Sequence, residues 1–177
     1  MAFPFALMIG LAIVAPAPAP AVHSSDVQTR LGYLIGDWTI EGQSARVFRQ
    51  KCAWHSSRSF VICTFEDKRD GSTGQTVFGY SKVQRRYVNL RFDSTGGSHY
   101  QFGFPSGAYG IVFTDERSEG AGLARVQTTL NLEHEGLRYT QYRSVEGRAW
   151  QRTADFRYVP VGRTQTPKKR SNRNRRR

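Results

Sequence analysis

The chain has 177 residues, of which 38% are hydrophobic, 12% are aromatic and 17 are glycines. This is enough for one domain with its own core, and many aromatics with scattered glycines favour an all-β domain over a helical one. The formal net charge is +12, but seven cations lie in the last eleven residues, so the charge alone does not indicate a nucleic-acid-binding face.

The first residues, 1–21, are expected to be a signal peptide. Residues 3–15 form a charge-free apolar run that suits a signal-peptide core and is too short to span a bilayer. Cleavage between Ala21 and Val22 avoids a proline directly after the cut. A periplasmic or secreted protein is therefore expected. Because the run lacks a preceding Lys or Arg, an uncleaved tail on a cytoplasmic protein is the alternative.

A short helix is predicted before the first strand. Residues 24–26 form an N-cap signal, and apolar side chains follow at helical spacing over residues 27–35. Gly36 is expected to end the helix, and Trp38 to open the first strand. We expect Leu34, Gly36 and Trp38 to close one end of the structure that follows.

Ten strands are predicted after this helix. Runs of alternating apolar and polar residues recur at roughly 8–12-residue spacing between turns rich in Gly, Asp and Ser. The predicted strands are 38–42, 45–55, 60–67, 75–80, 87–93, 99–104, 109–114, 125–132, 137–145 and 149–158. Gln50 is expected among the inward residues of the second strand.

The short loops predict how these strands are arranged. They place sequence neighbours side by side in antiparallel order, and a meander this long closes to remove its two exposed edges. We predict an all-β, up-and-down antiparallel barrel of about ten strands over residues 22–160, with the helix closing one end. A β-sandwich, which needs longer crossovers, is the alternative.

The two cysteines are expected to form a disulfide. With the hairpin centred between Ser57 and Arg58, Cys52 and Cys63 face each other, about 5 Å apart at Cα, which a disulfide accepts. A four-residue loop, 56–59, suits this register. Because the closed loop is short, the bond should stabilise by about 2 kcal/mol. Two packed free thiols are the alternative.

No specific catalytic or metal-binding motif is present. The sequence lacks a nucleophile elbow, an H-E-x-x-H motif, a phosphate loop and a C-x-x-C motif. Most carboxylates fall in turns. The four histidines lack metal-ligand spacing; they are His23, His55, His99 and His134. We therefore expect a protein without a metal, a cofactor or enzymatic activity. An isomerase or hydrolase ranks last, because the sequence offers no candidate acid–base pair.

A candidate cavity wall is predicted on the last two strands. Gln141 and Arg143 share the parity of inward residues on one strand, and Arg152 on the other. A two-residue turn at 146–147 would set Arg143 opposite Trp150 and Gln141 opposite Arg152. An inward arginine needs an acid, an aromatic ring or an anionic ligand. Arginines reaching water at the barrel rim are the alternative. The candidate wall comprises Gln141, Arg143, Trp150, Arg152, Trp54 and Tyr139.

Residues 161–177 are expected to form a disordered basic tail. Its last eleven residues hold no acid, apolar anchor or aromatic, so no base-stacking platform is present. Clustered cations attract phosphate-rich surfaces. The expected partner is an envelope surface if the protein is exported and nucleic acid if it stays in the cytoplasm. A solvated extension is the alternative. The cations are Lys168, Lys169, Arg170, Arg173, Arg175, Arg176 and Arg177.

Several short motifs, taken in order, resemble one protein family. Residues 31–38 with Gly42 match its opening, an apolar pair, then Gly-x-Trp, then a glycine. Further matches are Cys52-x-Trp54, Phe60-Val-Ile-Cys63, Gly79-Tyr80, Tyr87, Gly96, Gly110, Ser144-Val-Glu-Gly147 and Trp150. The family comprises bacterial proteins of unknown function with a calycin-like, lipocalin- or nitrobindin-like β-barrel. The resemblance covers residues 31–158 and implies a secreted barrel of about eight to ten strands.

The nitrobindin-like relatives bind haem through a histidine, and their opening reads Gly-x-Trp-x-Gly-x-Gly. Here Ile40 stands at the middle glycine, and the last two predicted strands carry no histidine. Haem is therefore not expected.

Two functional hypotheses follow from the sequence. The first is an exported, non-enzymatic β-barrel that binds a small apolar or amphipathic ligand in its interior. The second is a basic accessory protein whose tail docks on an anionic surface or nucleic acid, with the barrel as a scaffold. Fold alone does not choose between them. No transmembrane segment is expected in the mature chain.

Overall fold

The computed structural model describes residues 24–119, 122–134 and 136–162. The expected signal peptide and the seven tail cations lie outside these described residues. The described chain begins with α1, Ser24–Gly32, and continues with ten strands. These are β1 Gly36–Ile40, β2 Phe48–Trp54, β3 Phe60–Asp67, β4 Ser72–Ser81, β5 Arg86–Asp93, β6 Ser98–Ser106, β7 Gly110–Glu119, β8 Gly122–Glu133, β9 Gly136–Val145 and β10 Gln151–Pro160.

The ten strands form one closed antiparallel barrel in chain order. Each strand pairs with its neighbour in sequence, and β1 closes the ring against β10, with Trp38 opposite Pro160 and Ile40 opposite Tyr158. Closure pairs the two strands that would otherwise be edges. The predicted up-and-down barrel with a short helix at its start is confirmed, and the β-sandwich alternative is wrong.

The helix covers one end of the barrel. It ends at Gly32, earlier than Gly36, because two tight turn bonds follow, from Leu34 N to the Leu31 carbonyl at 3.0 Å and from Ile35 N to the Gly32 carbonyl at 3.2 Å. Leu31 and Leu34 are buried in the core. No helix in the described residues is long and apolar enough to cross a membrane.

The segment after the helix requires glycine at one position. Trp38 is buried, and its indole Nε1 donates a hydrogen bond to the Leu34 carbonyl at 2.9 Å. Gly36 has φ +153°, and a Cβ there would lie 2.8 Å from Cε2 of Trp38. The indole therefore packs directly on the Gly36 backbone, beneath Leu34.

The hairpin β2–β3 carries the disulfide. Cys52 and Cys63 are directly paired across the ladder and joined through sulfur, and both are buried. His55 N donates to the Phe60 carbonyl at 2.9 Å, which leaves residues 56–59 as the loop. The predicted pairing, loop length and disulfide are confirmed.

One part of the barrel wall is inverted relative to simple hydrophobic patterning. On β5 and β6 the polar residues Asn89, Arg91 and Gln101 line the interior. Phe92 and Tyr100, by contrast, are 47% and 45% exposed on the outside. The interior beside these strands is therefore polar, and the outer face is apolar.

Candidate functional site

The barrel encloses a cavity of about 240 Å³. Arg30 of α1 donates to the Gly107 and Gly110 carbonyls at the β6–β7 turn, so α1 lies at that end of the barrel. The polar end of the cavity lies at the opposite end, toward the β5–β6 turn. The apolar part of its lining comprises Leu34, Phe78, Val126, Leu130, Leu137 and Tyr158. The cavity thus has an apolar floor and a polar upper wall.

A network of amides and hydroxyls forms much of the polar wall. Asn89 Nδ2 donates to Gln101 Oε1 at 2.9 Å. The amides of Gln101 and Gln141 both donate to Thr128 Oγ1, each at 3.4 Å. Gln141 Nε2 also donates to the Tyr139 hydroxyl at 3.0 Å. These bonds fix polar side chains from β5, β6, β8 and β9 against one another.

Asn89 carries an unsatisfied acceptor in this network. Its Oδ1 is buried and has no hydrogen-bond partner among the described residues. Leaving a buried acceptor unpaired costs about 1–3 kcal/mol. A donor bound in the cavity, from water or from a ligand, would remove that cost.

Arg91 supplies positive charge to the cavity wall. Its guanidinium lies over the ring of Phe65, 4.1 Å from the centroid. It takes part in none of the ion pairs formed within the described residues. Because the cation–π contact uses none of the guanidinium N–H donors, they remain available to a bound acceptor.

The carboxylate nearest to Arg91 in sequence belongs to Asp93, and it is held by its own turn. Asp93 accepts hydrogen bonds from Thr95 N, Thr95 Oγ1 and Gly97 N. These bonds, chiefly the one from the Thr95 hydroxyl, and to a lesser extent the positive charge of Arg91 hold the pKa of Asp93 below its usual value. Asp93 therefore stays ionised at neutral pH and is occupied by its turn.

His99 and Arg117 form a second polar pair. Arg117 Nη1 lies 2.7 Å from His99 Nδ1. A guanidinium can only donate, so Nδ1 accepts and the neutral imidazole carries its proton on Nε2. Burial, followed by the charges of Arg117 and Arg91, lowers the pKa of His99. The imidazole is therefore neutral at pH 7 and offers one N–H donor.

The same pair stands at an opening in the barrel wall. The β6–β7 ladder runs only from Phe102 opposite Thr114 to Ser106 opposite Gly110. Beyond Phe102 the two strands are unpaired. An outer cavity of about 900 Å³ lies there and shares His99, Arg117 and Val126 with the inner cavity. The interior of the barrel is thus bordered by a lateral opening between β6 and β7, in addition to the end of the barrel.

Two of the sequence-predicted wall residues line the cavity. Gln141 and Tyr139 are both part of its polar lining, and burial raises the pKa of the Tyr139 hydroxyl. Arg143 shares their strand parity but is not among the lining residues. Trp54 packs against the apolar core instead of lining the cavity. Gln50, expected inward, is in the lining.

The expected places of Arg152 and Trp150 are wrong. A β-bulge between Arg152 and Ala154 shifts the register, so that Arg152 opposes Tyr142 and Gln141 opposes Ala154. Arg152 consequently points outward, with its side chain 58% exposed, and pairs with Asp155 at 2.7 Å.

Trp150 precedes β10 and is 49% exposed beside the outer cavity. Arg143 faces Gln151 across the β9–β10 ladder and not Trp150.

Sequence reasoning missed the most polar part of the wall. Asn89, Arg91, His99, Gln101 and Arg117 line the cavity, and none was in the predicted set. A usable signal was present, since polar residues alternate on β5 and β6 as regularly as the aromatics do. In a barrel, either alternating set can face inward.

The described residues include no group of three or more His, Cys, Asp or Glu that could hold a metal ion. Fold and site together define a closed up-and-down β-barrel with an internal cavity that is apolar at its floor and cationic at its upper wall. The sequence matches no model of a known protein family, and comparison with curated proteins gives no significant match.

Proposed function

We propose that the protein binds a small amphipathic organic anion, without covalent chemistry, inside its barrel. The observation that carries the proposal is Arg91, a half-buried arginine on the cavity wall that forms no ion pair within the described residues. A cation in such a place is stabilised by an acceptor that enters the cavity. The neutral His99 imidazole adds a further donor on the same wall.

The cavity also limits what the ligand can be. Its apolar floor, which includes Phe78 and Leu130, suits a short hydrocarbon or ring. The volume of about 240 Å³ lies below the usual range for drug-sized ligands. The ligand class that fits is therefore a compact molecule with an apolar body and one carboxylate, sulfonate or similar group.

Export to an oxidising compartment is part of the proposal. The buried disulfide between Cys52 and Cys63 supports it, because such bonds persist outside the reducing cytosol. The apolar run at residues 3–15 supports it as well.

A second candidate function rests on the basic tail. Its seven cations favour docking on an anionic surface. Deleting residues 167–177 separates the two functions, since ligand binding in the barrel should survive the deletion and tail-mediated docking should not.

The ligand class can be tested with four probes that share one hydrocarbon chain. Isothermal titration calorimetry would compare hexanoate, hexanesulfonate, hexan-1-ol and hexylammonium on the full chain. The two anions should bind more tightly than the alcohol, and hexylammonium should bind least. Equal affinity for the anion and the ammonium compound, or no heat from any probe, would overturn the proposal.

A further inference from the structure

The outer face of β5 and β6 is an apolar surface on the barrel wall. Val88 pairs with Phe102, and Leu90 with Tyr100, with all four side chains on the outside. Tyr100 and Phe104 are each 45% exposed. These five residues, Val88, Leu90, Tyr100, Phe102 and Phe104, are called the outer patch. Apolar surface grouped in this way marks an interaction site more often than scattered exposed residues do.

The β4–β5 turn extends this surface with an apolar tip between cations. Val83 is 94% exposed at that turn. Lys82 precedes it, and Arg85 and Arg86 follow it. The Arg86 guanidinium lies over the rings of Phe102 and Phe104, at 5.7 and 5.2 Å from their centroids. The turn and the outer patch therefore form one continuous surface, apolar with a cationic margin.

The end of the surface at the β4–β5 turn carries only positive charge, whereas Asp115 and Glu116 lie at its other margin, in the outer cavity. From Gly71 to Thr114 the chain contains a single acidic residue, Asp93. That carboxylate is held in its own turn and belongs to the lining of the inner cavity. Arg86 makes no ion pair within the described residues, whereas Arg125, which also lines the outer cavity, pairs with Glu116, and Arg148 pairs with Glu146. The β4–β5 end of the surface is thus complementary to an anionic partner.

We infer that this surface docks the protein on an anionic lipid bilayer. A bilayer accepts the Val83 side chain and the exposed rings in its interfacial layer, and its phosphates accept hydrogen bonds from Lys82 and Arg86. A protein partner would need a pocket shaped for the Val83 tip, whereas lipid accommodates the tip without one. The inference uses none of the residues that line the inner cavity, although Arg86, Tyr100 and Phe102 line the outer one, and it is independent of the proposed ligand.

Vesicle sedimentation with the full chain tests the docking surface. The vesicles would contain phosphatidylcholine alone or with about one third phosphatidylglycerol. Arg86→Gln should weaken partitioning to the anionic vesicles about fivefold, since one cation is lost at the surface. Arg148→Gln, which changes the net charge equally but removes an ion-paired arginine, should have no such effect. Equal effects of the two variants would overturn the inference.

A site-specific probe tests which face meets the lipid. Both native cysteines are in the disulfide, so Val83→Cys would introduce a single thiol for an environment-sensitive fluorophore. Leu123→Cys, at a residue 45% exposed on β8, is the control. Emission from position 83 should shift to the blue on anionic vesicles, and emission from position 123 should not. A shift at both or neither, or burial of position 83 in a dimer seen by sedimentation velocity, would overturn it.

Discussion

Replacing Arg91 by methionine is the sharpest test of the cavity site. The methionine keeps an unbranched stem and can pack its sulfur against Phe65, so the wall should keep its shape. What it removes is the charge. Because no carboxylate in the described residues is ion-paired with Arg91, the substitution leaves no new unpaired acid behind.

The size of the expected effect follows from the kind of bond that is lost. A hydrogen bond to a charged group contributes about 1.5–3 kcal/mol, which corresponds to about 10- to 150-fold in affinity. Hexanesulfonate is the suitable probe, since it stays anionic at every pH near neutral. Its dissociation constant should rise within that range in Arg91→Met, whereas that of hexan-1-ol should change by less than about threefold.

Calorimetry and thermal unfolding together decide the outcome. Arg125→Met is the matched control, because Arg125 is an outward arginine that pairs with Glu116 at 2.7 Å. This substitution should leave the dissociation constants of both hexanesulfonate and hexan-1-ol unchanged. Unchanged sulfonate affinity in a folded Arg91→Met protein would refute the assignment of the anion to Arg91. An equal loss for the alcohol would mean that the cavity itself had changed shape.

Three further predictions concern stability and pH. Gly36→Ala should lower the free energy of unfolding by about 1–3 kcal/mol, measured in urea, because its Cβ would lie 2.8 Å from the Trp38 ring. The double substitution of Cys52 and Cys63 by alanine should lower the free energy of unfolding by about 2–3 kcal/mol. A reductant should lower that of the wild type by the same amount and leave that of the variant unchanged. The lowered pKa of His99 means that, as the pH falls below 6.5, the unfolded chain takes up a proton before the folded one does. Stability is therefore lost on acidification in that window, and His99→Asn should lose less between about pH 7 and pH 5, as followed by thermal unfolding.

Closure of the barrel and the disulfide hairpin were predictable because they depend on local information. The register of β2 and β3 follows from one loop, and the pairing of Cys52 with Cys63 follows from that register. Closure follows from short loops and from the cost of leaving two strand edges open. Neither inference needs to know which residues face inward on distant strands.

The misplacement of Arg152 has a single physical cause. Assigning alternate residues of β10 to the inner and outer faces assumes that the ladder with β9 is unbroken. The bulge between Arg152 and Ala154 adds one residue to β10. Residues beyond the bulge keep the expected facing, so Tyr158 is buried, while Arg152 before it turns outward. A bulge of this kind leaves little trace in a sequence read without its partner strand.

The polar wall was missed because alternation defines two faces but not which one is inside. On β5 and β6 the aromatic set is the more hydrophobic, yet Asn89 and Gln101 face inward. These two residues are directly paired across the ladder, and their amides bond to each other at 2.9 Å. A mutual bond of this kind lowers the cost of burying both side chains, which residue-by-residue hydrophobicity does not register.

The inner cavity and the outer patch arise from the same alternation. A slip of β5 by one residue would exchange its two faces, placing Val88 and Leu90 inside and Asn89 and Arg91 outside. Such a slip would bury Val88 and Leu90 but expose Tyr87, which is fully buried, and it would remove the cationic wall and the apolar outer surface together. The two proposals nevertheless make opposite predictions for single side chains. Arg91→Met should weaken anion binding and leave vesicle binding intact, and Arg86→Gln should do the reverse. A common loss in both variants would mean that each had disturbed the pairing of β5 and not a separate site.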